Sequence, residues 1–151
     1  MCLIVKEKDY KIKKSDGFFV YKLIDVNGKS MYKFFLYEFL KIEKTKLDFP
    51  NPSIHYKCLE IERGFHSYLK HNNTLSYKLN PSVLMKVLCY IPKNAEYVLG
   101  WDNVIRAEYD TIVSNEIVIL GEVNERKTKI LQFLIKIGLF NLLKFIGCIK
   151  K

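Results

Sequence analysis

The sequence predicts an α+β domain: a mixed or mostly antiparallel sheet with a few short helices and a long C-terminal helix. Three observations predict it. Runs of β-forming residues recur between Phe18 and Leu120, punctuated by Asp16-Gly17, Asn27-Gly28, Pro92 and Ser114-Asn115. From Ile130 to Ile149, fourteen of twenty residues are apolar, a run too long for a strand. A length of 151 residues, 49% hydrophobic and 27% charged, fits one globular unit with a real core. The organisation expected is a core domain over residues 1–123 followed by an apolar, lysine-containing helix over 124–151.

Each element has its own local reason. Residues 1–16 form a basic leader. After the Asp16-Gly17 turn, Phe18 to Ile24 is rich in β-formers and predicts a strand. Met31 to Phe39 follows the Asn27-Gly28 turn as a hairpin partner. Residues 41–56 are charged and carry Pro50 and Pro52, which predict a loop. Tyr56 to Val123 reads as mainly β, with a short helix between Ser67 and Tyr77. Val83 to Ile91 is a long apolar strand stopped by Pro92. Ala95 to Leu99 is a short strand ending at a turn, Gly100-Trp101-Asp102-Asn103, and Val104 to Tyr109 is a further strand. Thr111 to Leu120 divides into two β segments around Ser114-Asn115. Asn124 is placed to cap the final helix.

The net charge is +9, but its distribution argues against nucleic acid as a partner. Residues 127–151 hold six Lys and no acidic residue. The remaining nineteen basic side chains face 16 acidic ones, and the chain has three Arg in all. A nucleic-acid binder normally gathers Arg and Lys on a folded face. The tail suits a dimer interface, a core-closing helix or an anionic membrane surface. Spanning a bilayer is disfavoured by Lys136 and Lys144, each costing about 2.5–3.5 kcal/mol near the centre, whereas lying at the interface lets them snorkel. Met1 to Val5 is too short for the apolar region of a signal peptide, which predicts the cytoplasm, with membrane association through residues 127–151. The four Cys form no CxxC pair and read as reduced thiols.

Few residues gather into a chemical pattern. His55 and Cys58 have a ligand-like spacing, with His66, His71 and Cys89 downstream, but the irregular intervals predict no metal centre. Glu60 and Glu62 would share one face of a strand and read as exposed charge. Cys58 and Cys89 fall in apolar contexts where thiols are inert. The stretch ERGFHSYLKH, residues 62–71, is the remaining candidate. Gly64 permits a tight turn or a close backbone approach. In an extended segment Phe65, Ser67 and Leu69 face one way, to the core, and His66 and Tyr68 the other, toward a pocket or a backbone partner.

Several of these pieces, taken in order, resemble a family of small bacteriophage and prophage proteins. They are a Met-Cys-Leu start, Val20-Tyr21-Lys22, the central Gly64-Phe65-His66-Ser67-Tyr68, Ile91-Pro92-Lys93, Tyr97 with Gly100, and the Ile112 to Ile117 stretch. The resemblance covers roughly residues 1–122 and implies a viral origin acting in the host cell. A second similarity is to ADP-ribosyltransferases. It would put Gly64-Phe65-His66-Ser67 at that family's Gly-hydrophobic-aromatic-small step and Glu116 at its catalytic carboxylate. Tyr21 or Lys22 stands where that family places a His or Arg.

These readings predict a phage-type accessory protein that binds a host or viral protein partner, or its own copy, without catalysis and without a cofactor. The two alternatives are an ADP-ribosyltransferase-like enzyme or nucleotide binder using His66, Ser67, Tyr68 and Glu116, and a membrane-surface protein acting through its tail.

Overall fold

The structure is a computed structural model that describes residues 3–25, 27, 40–70, 84–102 and 109–123, together with positions 129, 130, 133 and 138. Its strands are β1 (Leu3–Lys6), β2 (Lys13–Lys14), β3 (Phe18–Asp25), β4 (Ile42–Lys44), β5 (Asn51–Pro52), β6 (Cys58–Ile61), β7 (Phe65–Tyr68), β8 (Leu84–Ile91), β9 (Glu96–Asp102), β10 (Thr111–Ser114) and β11 (Glu116–Glu122). All their pairings are antiparallel.

This overturns the α+β expectation. Of the described residues 57% are in strands and 7% are helical, and none of the helical segments reaches seven residues, so the fold is all-β. The physical reason lies in how the sheet hides its apolar faces. A flat sheet of this composition needs a helical layer against it; this one curls on itself instead. The long helix expected over 124–151 falls almost wholly outside the described residues. So do the strand expected over Met31–Phe39, all but Tyr109 of that expected over Val104–Tyr109, and most of the Ser67–Tyr77 helix, whose first two residues belong to β7.

The sheet order is β4-β11-β8-β3-β7-β10-β9-β1-β6-β5, with β2 paired to β9. β10 and β11 lie four places apart in that order, yet only Asn115 separates them along the chain. The run β11-β8-β3-β7-β10 therefore closes into a ring through the covalent continuation of one strand into the other. Asn115 stitches the corner: its N–H donates to the Glu96 carbonyl at 3.0 Å, its Oδ1 accepts the Glu96 N–H at 2.9 Å, and its carbonyl accepts the Thr45 N–H at 2.8 Å. A bulge between Ile119 and Gly121 adds the curvature that closure requires.

Alternation fills the ring. Val20 and Ile24 of β3, Phe65 of β7, Val87, Cys89 and Ile91 of β8, Ile112 of β10, and Ile117 and Ile119 of β11 form its buried interior. The opposite face of β3, β8 and β11 carries a second cluster around Leu88, Val118 and Leu120. Beyond β10 the sheet runs on through β9, β1 and β6. Leu3, Val5, Ile61, Val98 and Val113 pack there as a third cluster.

Three local readings change. The basic leader contains a buried central strand: Leu3, Ile4 and Val5 are fully enclosed because β1 pairs with β6 on one side and β9 on the other. The turn expected at Gly100-Trp101 is instead the continuation of β9. Gly100 is required there by close approach, since a Cβ would meet the Ile4 carbonyl and the Leu3 side chain. The loop expected over 41–56 includes two short edge strands, β4 and β5.

Candidate functional site

Gly64 sets up the GFHSY segment. Its φ of +143° is one that side chains rarely adopt, and a Cβ would press on Val113 and Leu47. The chain then enters β7 between β3 and β10, and Phe65, His66, Ser67 and Tyr68 are all buried. Leu69, expected beside Phe65 in the core, is exposed because the strand stops at Tyr68.

Strand alternation divides the candidates. Ser67 pairs with Ile112 and shares the ring interior with Phe65. Its Oγ is buried and has no hydrogen-bond partner among the described residues. His66 faces the third cluster, opposite Val113. Its Nδ1 lies 3.2 Å from the Gly64 carbonyl and its Nε2 3.3 Å from the Ile61 carbonyl. Two carbonyl acceptors favour an imidazolium, but burial opposes the charge, and the nearby Lys22 ammonium opposes it further; together they lower the pKa to about 4. The ring is therefore neutral at physiological pH, with one N–H to share between two carbonyls. Tyr68 is buried between Tyr21 and Thr111, its backbone neighbours on β3 and β10.

Glu116 belongs to a different place. It opens β11 opposite Lys44 of β4, and their side chains form an ion pair of 3.3 Å. The structure thus brings His66, Ser67 and Tyr68 together in the chain but turns Ser67 away from the other two, and it commits Glu116 to Lys44.

Lys22 is the chemical oddity of the interior. It shares the inward face of β3 with Val20 and Ile24, and its Nζ donates to the His66 carbonyl at 2.5 Å. Burial lowers the ammonium pKa to about 8. Burial also raises the Cys89 thiol to about 12, so that thiol is unreactive at neutral pH. The signal for Lys22 was present in the sequence: it alternates with Phe18, Val20 and Ile24, so any strand that buries those residues buries the lysine.

A second region was not singled out by sequence. β5 ends the sheet and forms a hairpin with β6. Its turn is closed by Ser53 N–H to the Cys58 carbonyl (3.0 Å), Cys58 N–H to the His55 carbonyl (3.2 Å) and His55 N–H to Ser53 Oγ (3.2 Å). Lys57 adopts a left-handed φ of +52°, and its carbonyl accepts the Glu7 N–H at 3.0 Å. This well-bonded hairpin presents Phe49, Ile54 and Tyr56 at 91%, 92% and 86% exposure. Lys57 Nζ lies 5.2 Å from the Tyr56 ring centre. The sequence signal was three large apolar residues interleaved with two prolines that keep the segment at an edge.

Among the described residues, no helix is long and apolar enough to cross a membrane. Compared with known proteins, the chain matches no family, no curated protein and no solved structure.

Proposed function

We propose that this protein is a non-catalytic binding module whose contact surface is the hairpin from Phe49 to Lys57, the kind of role expected of a sequence with no strong catalytic constellation. The observation that carries this reading is the exposure of Phe49, Ile54 and Tyr56 within nine residues. Isolated exposed apolar side chains are ordinary, but three nearly bare ones on one hairpin whose turn is closed by three hydrogen bonds mark a contact surface. The state of the GFHSY segment supports it from the other side. His66 is neutral and held between two backbone carbonyls, and Ser67 is sealed in the ring interior, so neither is presented to a substrate.

The test is site-specific photo-crosslinking in the host cell, with p-benzoylphenylalanine at position 56 and, as a control, at exposed position 14. A discrete adduct from position 56, absent from position 14 and lost in Ile54→Asp, is expected. Equal labelling from both positions, or NAD turnover by the purified chain that Ser67→Ala abolishes, would overturn the reading.

A further inference from the structure

Resting on that reading, we infer that the hairpin's partner is the surface of an anionic lipid bilayer, entered by Ile54 and Tyr56. Three features favour lipid over a protein groove. First, part of the tip's backbone is already satisfied within the fold. The N–H groups of Ser53, His55 and Cys58 are bonded within the turn, the Lys57 carbonyl is bonded to Glu7, and Pro50 and Pro52 have no N–H to satisfy. The N–H groups of Ile54, Tyr56 and Lys57 have no such bond among the described residues, which holds the tip at headgroup level, where water and phosphate oxygens accept from them. Second, the side chains suit the interface: an aliphatic residue to bury, a tyrosine to sit at headgroup level, and lysines to snorkel. Lys57 stands over Tyr56, and exposed Lys6 and Lys8 lie at the same end of the sheet, where β1 meets Cys58 and Glu7 bonds Lys57. The acidic groups at that end are Glu7 and Asp9, and the Asp9 carboxylate is engaged by the Tyr109 hydroxyl at 2.7 Å. Third, the chain is cationic, at +9, with six of those charges in residues 127–151 and +3 over the rest, which favours an anionic surface over a neutral one. The same prolines that keep the backbone satisfied deny edge strand β5 to an incoming peptide strand, which removes strand addition as the mode of binding.

The experiment is flotation of the full chain with phosphatidylcholine vesicles, with and without phosphatidylserine, at low and high salt. Binding to the phosphatidylserine vesicles, weakened by salt, is expected. Ile54→Asp with Tyr56→Asp should lower the partition coefficient by at least about tenfold, with an unchanged denaturation midpoint showing that the fold survives. In Tyr56→Trp, emission should shift to the blue on mixing with the anionic vesicles. Undiminished flotation of the double variant would overturn the inference, because another segment would then carry the binding. So would absence of flotation alongside a discrete protein crosslink from position 56, an outcome that leaves the binding-module reading standing. Neither flotation nor crosslink would remove both.

Discussion

Two segments of this chain are built from nearly the same residue types. Ser53-Ile54-His55-Tyr56 and Phe65-His66-Ser67-Tyr68 each combine one serine, one histidine, one tyrosine and one large apolar side chain. The second lies in a central strand and all four residues are buried; the first turns a hairpin at the sheet's edge, and Ile54, His55 and Tyr56 stand in solvent. Composition does not decide between these fates. Position in the sheet does, and small backbone features set that position. Pro50 and Pro52 confine the first segment to an edge, whereas Gly64 lets the second turn tightly beneath Val113 into a strand with neighbours on both sides. A cluster of catalytic-looking residue types is therefore weak evidence of a site until its strand is known to be open.

The largest effect that would break this comparison is in packing. Phe65→Ala should cost about 3–5 kcal/mol in chemical denaturation, because it empties the ring interior. Ile54→Ala should stay within about 0.5 kcal/mol. Similar losses at the two sites would mean that the hairpin is part of the core.

Next come the two buried bases. The folded pKa of His66, about 4, lies below its ordinary 6.5. The unfolded chain takes the proton first, so the associated stability is full above pH 6.5 and is lost as pH falls through about 4. The loss should approach about 3 kcal/mol and be missing from His66→Gln, as read by denaturation midpoints across pH. Lys22 obeys the same sign in an alkaline window. Its folded pKa of about 8 lies below 10.5, so wild type should gain about 3 kcal/mol relative to Lys22→Met as pH rises from 8 to 10.5. Parallel pH curves for wild type and variant would show that the amine reaches water. The smallest effect is at Ser67. Removing its unpartnered hydroxyl in Ser67→Ala should be neutral or stabilising by up to about 1 kcal/mol. A clear loss of stability would show that the hydroxyl has a partner.

The sequence was most legible where a strand announces itself locally. Phe18–Asp25 and Leu84–Ile91 are long β-forming runs stopped by turn residues, and the division at Asn115 follows from a polar break in an apolar run. It was least legible where pairing over long distance decides. Leu3-Ile4-Val5 looks like the start of a basic tail until β6 and β9 enclose it. Gly100-Trp101 looks like a turn until the Ile4 backbone is seen passing over Gly100. The all-β outcome escaped for the same reason: closure of β11-β8-β3-β7-β10 into a ring depends on which strands meet, and no single segment carries that information. At the candidate site, alternation correctly placed Phe65 and Ser67 on one face and His66 on the other. What it could not supply was that both faces are covered, which turns a prospective pocket residue into a structural one.

The central claim, that the hairpin is open and the GFHSY strand is closed, is tested most directly by carbethoxylation of the folded protein, with His55 and His66 followed separately by mass spectrometry. His55 should react rapidly, and His66 at least about tenfold more slowly until the protein unfolds. Equal reactivity in the native state would place His66 at an accessible site and remove the ground for reading this chain as a binding module rather than an enzyme.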